Sequence, residues 1–171
     1  MYLLTAFLAA LAVLLNGCTY AISSDARRQA DRTIAFSDLN ADPAKFAGKT
    51  VILGGVIVQT RNVKDGALIE IQQKELDYWG KPRRTDKTGG RFLARHAGFL
   101  EPLIYAPGRE VTLAAEVAGT EEKGLAEEGS LYPLVVSKEL KLWPREPRAS
   151  DRPGMLDPLY DRYSTDNVRG Y

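Results

Sequence analysis

The chain contains 171 residues, of which 44% are hydrophobic and 26% charged, as is typical of a single globular domain. Its 23 Lys and Arg residues nearly balance 22 Asp and Glu residues, and the formal net charge of +1 argues against a generic polyanion-binding protein. The 15 glycines show no triplet period, no heptad pattern is sustained and the one cysteine cannot pair within the chain, which excludes collagen-like, coiled-coil and disulfide-scaffold proteins.

The N-terminal residues are uncharged and apolar. Residues 1–17 carry no charge, and residues 2–15 form a nearly unbroken apolar run. The run is shorter than the roughly 20 apolar residues that a spanning helix requires, and its length suits the hydrophobic region of a secretory signal peptide. A buried N-terminal helix is the alternative, but it would need a polar stripe, and Thr5 alone interrupts the run. We therefore predict that residues 1–17 are a signal peptide.

The cysteine follows this run directly. Cys18 is preceded by Leu15, Asn16 and Gly17, an order that resembles the lipobox of bacterial lipoproteins. A thiolate is the nucleophile suited to accept a diacylglyceryl group, whereas a cysteine buried in the core is the alternative interpretation. The resemblance implies that Cys18 carries a diacylglycerol and an N-acyl chain. Because Thr19 follows Cys18 instead of Asp, it also implies an outer-membrane anchor that faces the periplasm.

A polar segment and a short helix are predicted next. Residues 18–36 hold the lipidated cysteine and a mixed, polar stretch without a strong period, which we interpret as a tether. Asp42 is placed to cap a short helix, with Pro43 at its first position and Gly48 after its end. Phe46 is the expected contact of this helix with the core.

Apolar patterning predicts β-strands in the rest of the chain. Gly54 and Gly55 interrupt the first strand and are typical of a bend or bulge, and Asp65 with Gly66 is a hairpin turn signal. A short helix is expected within residues 97–106. The predicted strands cover residues 50–59, 67–73, 91–95, 110–118 and 131–142.

This order of elements predicts a mainly β fold. We expect residues 37–143 to form a small five-stranded OB-like barrel with short helices, and a sandwich-like variant is the alternative. Residues 144–171 are rich in Pro, Arg, Asp and Tyr and poor in aliphatic residues. They are predicted to form a flexible tail outside the core.

Three segments are together similar to one protein family: FSDLNADPAKFAGKTVILGGVIV, GRFLARHAGFLEP and GREVTLAAEVAG. They resemble the Slp family of starvation-inducible outer-membrane lipoproteins, and the resemblance covers residues 36–143 together with the lipobox. It implies a lipid-anchored envelope protein without an established enzymatic activity and with a link to starvation or stress.

Few residues are suited to catalysis or metal binding. His96 is the single histidine. A zinc site is not expected, because the one cysteine that could join His96 as a ligand is Cys18, which is expected to carry lipid. Glu101 has no second carboxylate near it in sequence, and no G-x-S-x-G, H-E-x-x-H or P-loop motif occurs. We expect no catalytic residue, no metal and no cofactor besides the acyl chains. A cleft joining His96 or Glu101 to another titratable group would reverse this expectation.

The loop between the second and third strands is the candidate interface. Aromatic rings beside cations suit a lipid headgroup, lipopolysaccharide or another envelope protein. A solvated loop whose tryptophan packs back on the barrel is the alternative. The candidate residues are Tyr78, Trp79, Lys81, Arg83, Arg84 and Lys87.

The sequence leaves two functional classes open. The favoured one is a non-enzymatic structural or interaction protein on the outer membrane. The other is a glycan-binding or small-ligand-binding module, which an aromatic-lined pocket between the second and third strands would indicate. Nucleic-acid binding is not expected, because four glutamates in the loop between the fourth and fifth strands would repel phosphates: Glu121, Glu122, Glu127 and Glu128. The oligomeric state is not predicted.

Overall fold

The computed structural model describes residues 20–122 and 131–145. The predicted signal peptide, Cys18 and the C-terminal tail from residue 146 onwards lie outside the described residues. The helical segments are α1 (Ser24–Gln29), α2 (Phe36–Ala41) and a 3₁₀ helix (Pro43–Phe46). The strands are β1 (Thr50–Val63), β2 (Gly66–Gln73), β3 (Arg91–His96), β4 (Glu110–Glu122) and β5 (Leu131–Leu142).

The five strands form one closed barrel. Around the barrel their order is β1-β2-β3-β5-β4, with β4 returning to β1. All neighbouring strands are antiparallel except β3 and β5, which are parallel. This five-stranded Greek-key arrangement is that of an OB-type barrel. The prediction of a mainly β, OB-like fold with short helices is confirmed, and the sandwich-like alternative is excluded.

Strand β1 is long and belongs to two strand pairs. It extends four residues beyond the predicted end at Gln59, because the tight turn before Gly66 lets its last residues pair with β2. Gly54 and Gly55 mark a close approach of neighbouring strands. A Cβ on Gly55 would collide with the Gln72 carbonyl oxygen, and the bulge itself lies further on, between Ile57 and Gln59.

The barrel interior is filled by alternating side chains of the strands. In β2, Ala67, Ile69 and Ile71 point inward and are fully buried. The carboxylate of Glu70 is also buried, and its Oε1 lies 3.0 Å from Arg91 Nη1 on β3. A buried carboxylate requires such a partner, since an unpaired charge in a low-dielectric site is strongly unfavourable.

Two short helical segments pack on the core of the barrel. Asp42 accepts the Lys45 N–H at the start of the 3₁₀ helix, as the sequence indicates, and Phe46 packs against the core. On α2, which was not predicted, Leu39 is fully buried and contributes to the same core.

The helix expected within residues 97–106 is absent, and this segment forms turns. Long-range hydrogen bonds hold it in that form. Leu100 exchanges two bonds with the side-chain amide of Asn62, at 2.9 and 3.0 Å, and the Tyr105 carbonyl accepts from Thr60 Oγ1 at 2.8 Å. Backbone groups used in this way are not available to a helix.

The segment expected to be a tether packs on the barrel wherever the structure describes it. Ile22 and Ala26 are buried and pack with Ala114 of β4. The Asp31 N–H donates to the Thr50 carbonyl oxygen at 2.8 Å. From Tyr20 onwards the N-terminal segment is therefore part of the folded unit.

Candidate functional site

A buried lysine organises the loop that joins β2 to β3. Lys74 Nζ donates to the carbonyl oxygens of Thr85 and Lys87, at 2.7 and 3.1 Å. Leu76 and Pro82 form an isolated β-bridge within the same loop. The loop predicted to be the interface is thus ordered from within by a lysine that the sequence analysis did not single out.

Tyr78 and Trp79 form an aromatic cluster with Tyr20. The ring centroids lie 5.5 Å apart for Tyr20 and Tyr78, 5.4 Å for Tyr20 and Trp79, and 5.1 Å for Tyr78 and Trp79. Tyr78 is 75% exposed and Trp79 43% exposed. The pKa of Tyr20 is raised above its ordinary value, mainly by a hydrogen bond with Tyr78 and less by burial.

A tight turn sets the position of this aromatic cluster. Asp77 Oδ1 accepts the backbone N–H groups of Trp79 and Lys81, at 2.9 and 2.8 Å. The turn is also joined to the barrel through Thr112, whose Oγ1 donates to the Gly80 carbonyl at 2.6 Å and accepts from Trp143 Nε1 at 3.0 Å. These bonds give the exposed rings a fixed position on the barrel.

The predicted cations of the loop separate into two groups. Lys81 and Arg84 both approach the carboxylate of Glu110, at 3.7 and 3.2 Å. Arg83 and Lys87 are exposed. The structure therefore brings together the two aromatic residues of the prediction and pairs two of its four cations with a glutamate of β4.

An aromatic-lined pocket lies between the N-terminal segment, β1, the start of β4 and this loop. Its volume is about 580 Å³. The half-buried Ile34 and Ile52 supply apolar surface, and the aromatic cluster forms one wall. The expected pocket lay between the second and third strands, whereas this one involves the N-terminal segment.

Arg27 on α1 reaches the same pocket. Its Cζ lies 3.8 Å from the centroid of the Tyr20 ring, and its buried Nε has no hydrogen-bond partner. Tyr20 and Arg27 were not predicted as site residues, because residues 18–36 were interpreted as a tether. The available signal was the N-cap at Ser23, whose side chain accepts the Ala26 N–H at 3.2 Å, with Asp25 in the first turn.

Two carboxylates also line the pocket, and both already accept hydrogen bonds. Asp31 Oδ1 accepts from the hydroxyl and the N–H of Thr33, at 2.6 and 3.1 Å. These bonds lower the pKa of Asp31, so that it is ionised at neutral pH. The other carboxylate is Asp77, which caps the aromatic turn.

His96 and Glu101 have structural partners. His96 Nδ1 lies 3.5 Å from Ser137 Oγ, which donates to the Glu139 carbonyl, and burial lowers the pKa of His96. Glu101 Oε1 accepts the Leu103 N–H at 3.4 Å within a turn. Within residues 20–122 and 131–145, no three His, Cys, Asp or Glu side chains are grouped to hold a metal ion.

Comparison with known proteins identifies the family. The described part of the chain has no helix long and apolar enough to cross a membrane. A sequence model described as "Outer membrane lipoprotein Slp family" matches residues 15–166. Fold and match together define an outer-membrane lipoprotein built on a small OB-type barrel. The chain belongs to the outer membrane lipoprotein Slp family, as the resemblance implied.

Two relatives support this membership. The outer membrane protein Slp of Escherichia coli is 32% identical over 91 residues, which cover 53% of this chain and 48% of that protein. The chain thus aligns with about half the length of that relative. An uncharacterized protein of Haemophilus influenzae is 27% identical over 141 residues, covering 82% of this chain and 76% of that protein.

Proposed function

We propose that the protein is held on the periplasmic face of the outer membrane by acyl chains on Cys18, and that it acts there as a non-enzymatic interaction protein. In this proposal the aromatic cluster of Tyr20, Tyr78 and Trp79 rests against the membrane surface. The observation that carries the proposal is the contact of the Tyr20 ring with the two exposed rings of the loop.

The spacing along the chain limits how far these rings can be from the anchor. Tyr20 follows Cys18 by two residues, and an extended chain spans at most about 3.6 Å per residue, or about 7 Å here. The Ala21 N–H also donates to the Trp79 carbonyl oxygen at 3.1 Å. A lipidated Cys18 would therefore hold Trp79 close to the headgroups.

The residue types of the loop suit that position. Tyrosine and tryptophan are favoured where an apolar body meets water, as they do at membrane interfaces. The exposed cations Arg83 and Lys87 lie on the same loop, and each cation near an anionic surface adds about 1 kcal/mol of attraction. The roles of His96 and Glu101 in local hydrogen bonds support a non-enzymatic function. The link to starvation stays a prediction from the family.

The anchor is tested by the intact mass of the protein extracted from envelopes with detergent. We expect loss of residues 1–17 together with an added lipid mass on Cys18, and recovery in the outer-membrane fraction. Cys18→Ser should abolish both the added mass and the fractionation. An unlipidated chain in the outer-membrane fraction of the wild type would overturn the proposed anchor.

The position of the aromatic cluster is tested by fluorescence quenching in vesicles. The lipoprotein is reconstituted with lipids brominated close to the headgroup, and tryptophan emission is compared with that in unbrominated vesicles. We expect quenching in the wild type and much less in Trp79→Phe, which retains Trp143 as the remaining tryptophan. No quenching in the wild type would place Trp79 away from the membrane and contradict the proposal.

The periplasmic orientation needs a separate measurement. Protease added to intact cells should leave the protein uncut, and the same protease should cut it once the outer membrane is permeabilised. Cleavage in intact cells would place the barrel on the outer surface.

A further inference from the structure

The pocket beside the aromatic cluster has the size of a ligand site. Its volume of about 580 Å³ lies within the range of about 300 to 1,000 Å³ that is usual for small-molecule sites. Apolar side chains from two elements meet there, with the half-buried Ile34 from the N-terminal segment and the half-buried Ile52 from β1. This apolar surface favours a ligand that has a hydrocarbon portion.

The pocket carries two guanidinium groups, on Arg27 and Arg32. Arg27 stacks on Tyr20, and its Nε is buried without a partner. Arg32 is exposed at the pocket and forms no ion pair with the described residues. The carboxylates of Asp31 and Asp77 already accept from neighbouring groups. The unpartnered Nε of Arg27 and the exposed Arg32 suit a ligand that brings hydrogen-bond acceptors, and guanidinium groups bind phosphate oxygens well.

We propose that this pocket binds a phosphate-bearing lipid, with the phosphate on Arg27 and Arg32 and the start of an acyl chain along Ile34 and Ile52. This inference adds a ligand class to the proposed function and rests on it in one respect. An anchor on Cys18 would bring the pocket to the membrane surface that supplies such lipids. Binding itself does not depend on the anchor.

The test uses the full lipoprotein purified in a non-ionic detergent and isothermal titration calorimetry. The probe is dihexanoylphosphatidylglycerol, a short-chain phospholipid that dissolves as a monomer. Dihexanoylglycerol, which lacks the phosphate, and inorganic phosphate, which lacks the chains, are titrated separately. We expect saturable binding of the phospholipid and at least tenfold weaker binding of each of the other two probes.

Variants then assign the binding to the pocket. Arg27→Gln should weaken phospholipid binding about tenfold, as expected for loss of a charge-assisted contact, and Arg32→Gln should weaken it severalfold. Arg28→Gln is the matched control, because Arg28 lies next to Arg27 on α1 and instead pairs with Asp25. It should bind like the wild type. Arg32 is exposed, so its variant keeps the test valid if Arg27→Gln does not fold.

Each other outcome would overturn the inference. Equal binding of inorganic phosphate would show a simple anion site, and equal binding of dihexanoylglycerol would show that the guanidinium groups are not used. No saturable binding, or an equal loss in Arg28→Gln, would also reject the pocket. The mass measurement on Cys18 and the calorimetry fail independently, so an unlipidated protein that still binds the phospholipid would reject the anchor alone.

Discussion

The backbone N–H of Ala21 donates to the carbonyl oxygen of Trp79 at 3.1 Å. This bond joins the first described residues of the chain to the loop after β2, and the Tyr20 ring contacts both exposed rings of that loop. Anything that displaces the N-terminal segment should therefore also disturb the aromatic cluster and the pocket beside it.

Ile22→Ser should release the N-terminal segment from the barrel. Ile22 is buried against Ala26 and Ala114, and loss of such a buried aliphatic side chain costs about 2 to 4 kcal/mol. We expect trypsin to cut after Arg27 or Arg28 much faster than in the wild type. Ile104→Ser, at a side chain that is 51% exposed, is the control. Equal cleavage rates in both variants would show that Ile22 does not hold the segment.

Gly55→Ala should be poorly tolerated. The added methyl group would collide with the Gln72 carbonyl oxygen of β2, and neither strand can move without breaking the ladder. We expect a loss of about 3 kcal/mol or more in the free energy of unfolding, measured by urea denaturation. Gly48→Ala has open space and a φ of 79°, so only its backbone strain of about 1 to 2 kcal/mol should appear. A smaller effect at Gly55 than at Gly48 would contradict the close packing of β1 on β2.

Lys74→Met should loosen the loop that carries Trp79. The change keeps the apolar stem but removes the ammonium group that bonds the carbonyl oxygens of Thr85 and Lys87. We expect a loss of about 1 to 3 kcal/mol in the free energy of unfolding and faster proteolysis within the loop. Lys64→Met, at the exposed turn between β1 and β2, is the matched control. A loss of the same size there would assign the effect to charge alone.

His96 should make stability depend on pH. Burial lowers the pKa of His96 in the folded protein, so below about pH 6.5 the unfolded chain binds a proton more readily than the folded one. The free energy of unfolding should therefore fall between pH 7.5 and pH 5.5, and it should fall less in His96→Gln. Asp31→Asn should keep the wild-type decrease, because the Asp31 pKa is lowered and lies well below this range. An unchanged pH dependence in His96→Gln would refute this role.

The strands could be predicted because the residue pattern that specifies a strand is local in the sequence. Alternation of apolar residues gave β5 its observed bounds, and the turn at Asp65 and Gly66 joins β1 to β2 as expected. The segment over residues 97–106 could not be predicted in the same way. Its conformation depends on Asn62 and Thr60, whose sequence positions give no local sign of these bonds.

The candidate site was predicted in part for a similar reason. Composition alone pointed to Tyr78, Trp79 and the cations beside them. The third ring, Tyr20, lies 58 positions before Tyr78 in the sequence and meets it through the packing of α1 on β4. The pairing of Lys81 and Arg84 with Glu110 also depends on strand order, which no local pattern contains.

The parallel junction of β3 and β5 is the shortest seam of the closed barrel, with Leu93, Ala94 and Arg95 paired to Leu134, Val135 and Val136. In the described chain every strand has a neighbour on each side, so opening this seam is the step that would expose two unpaired edges to another molecule. Arg95 spans the junction by reaching Glu121 of β4, at 2.8 Å. The resistance of the folded protein to edge-to-edge self-association should therefore depend on how rarely this seam opens.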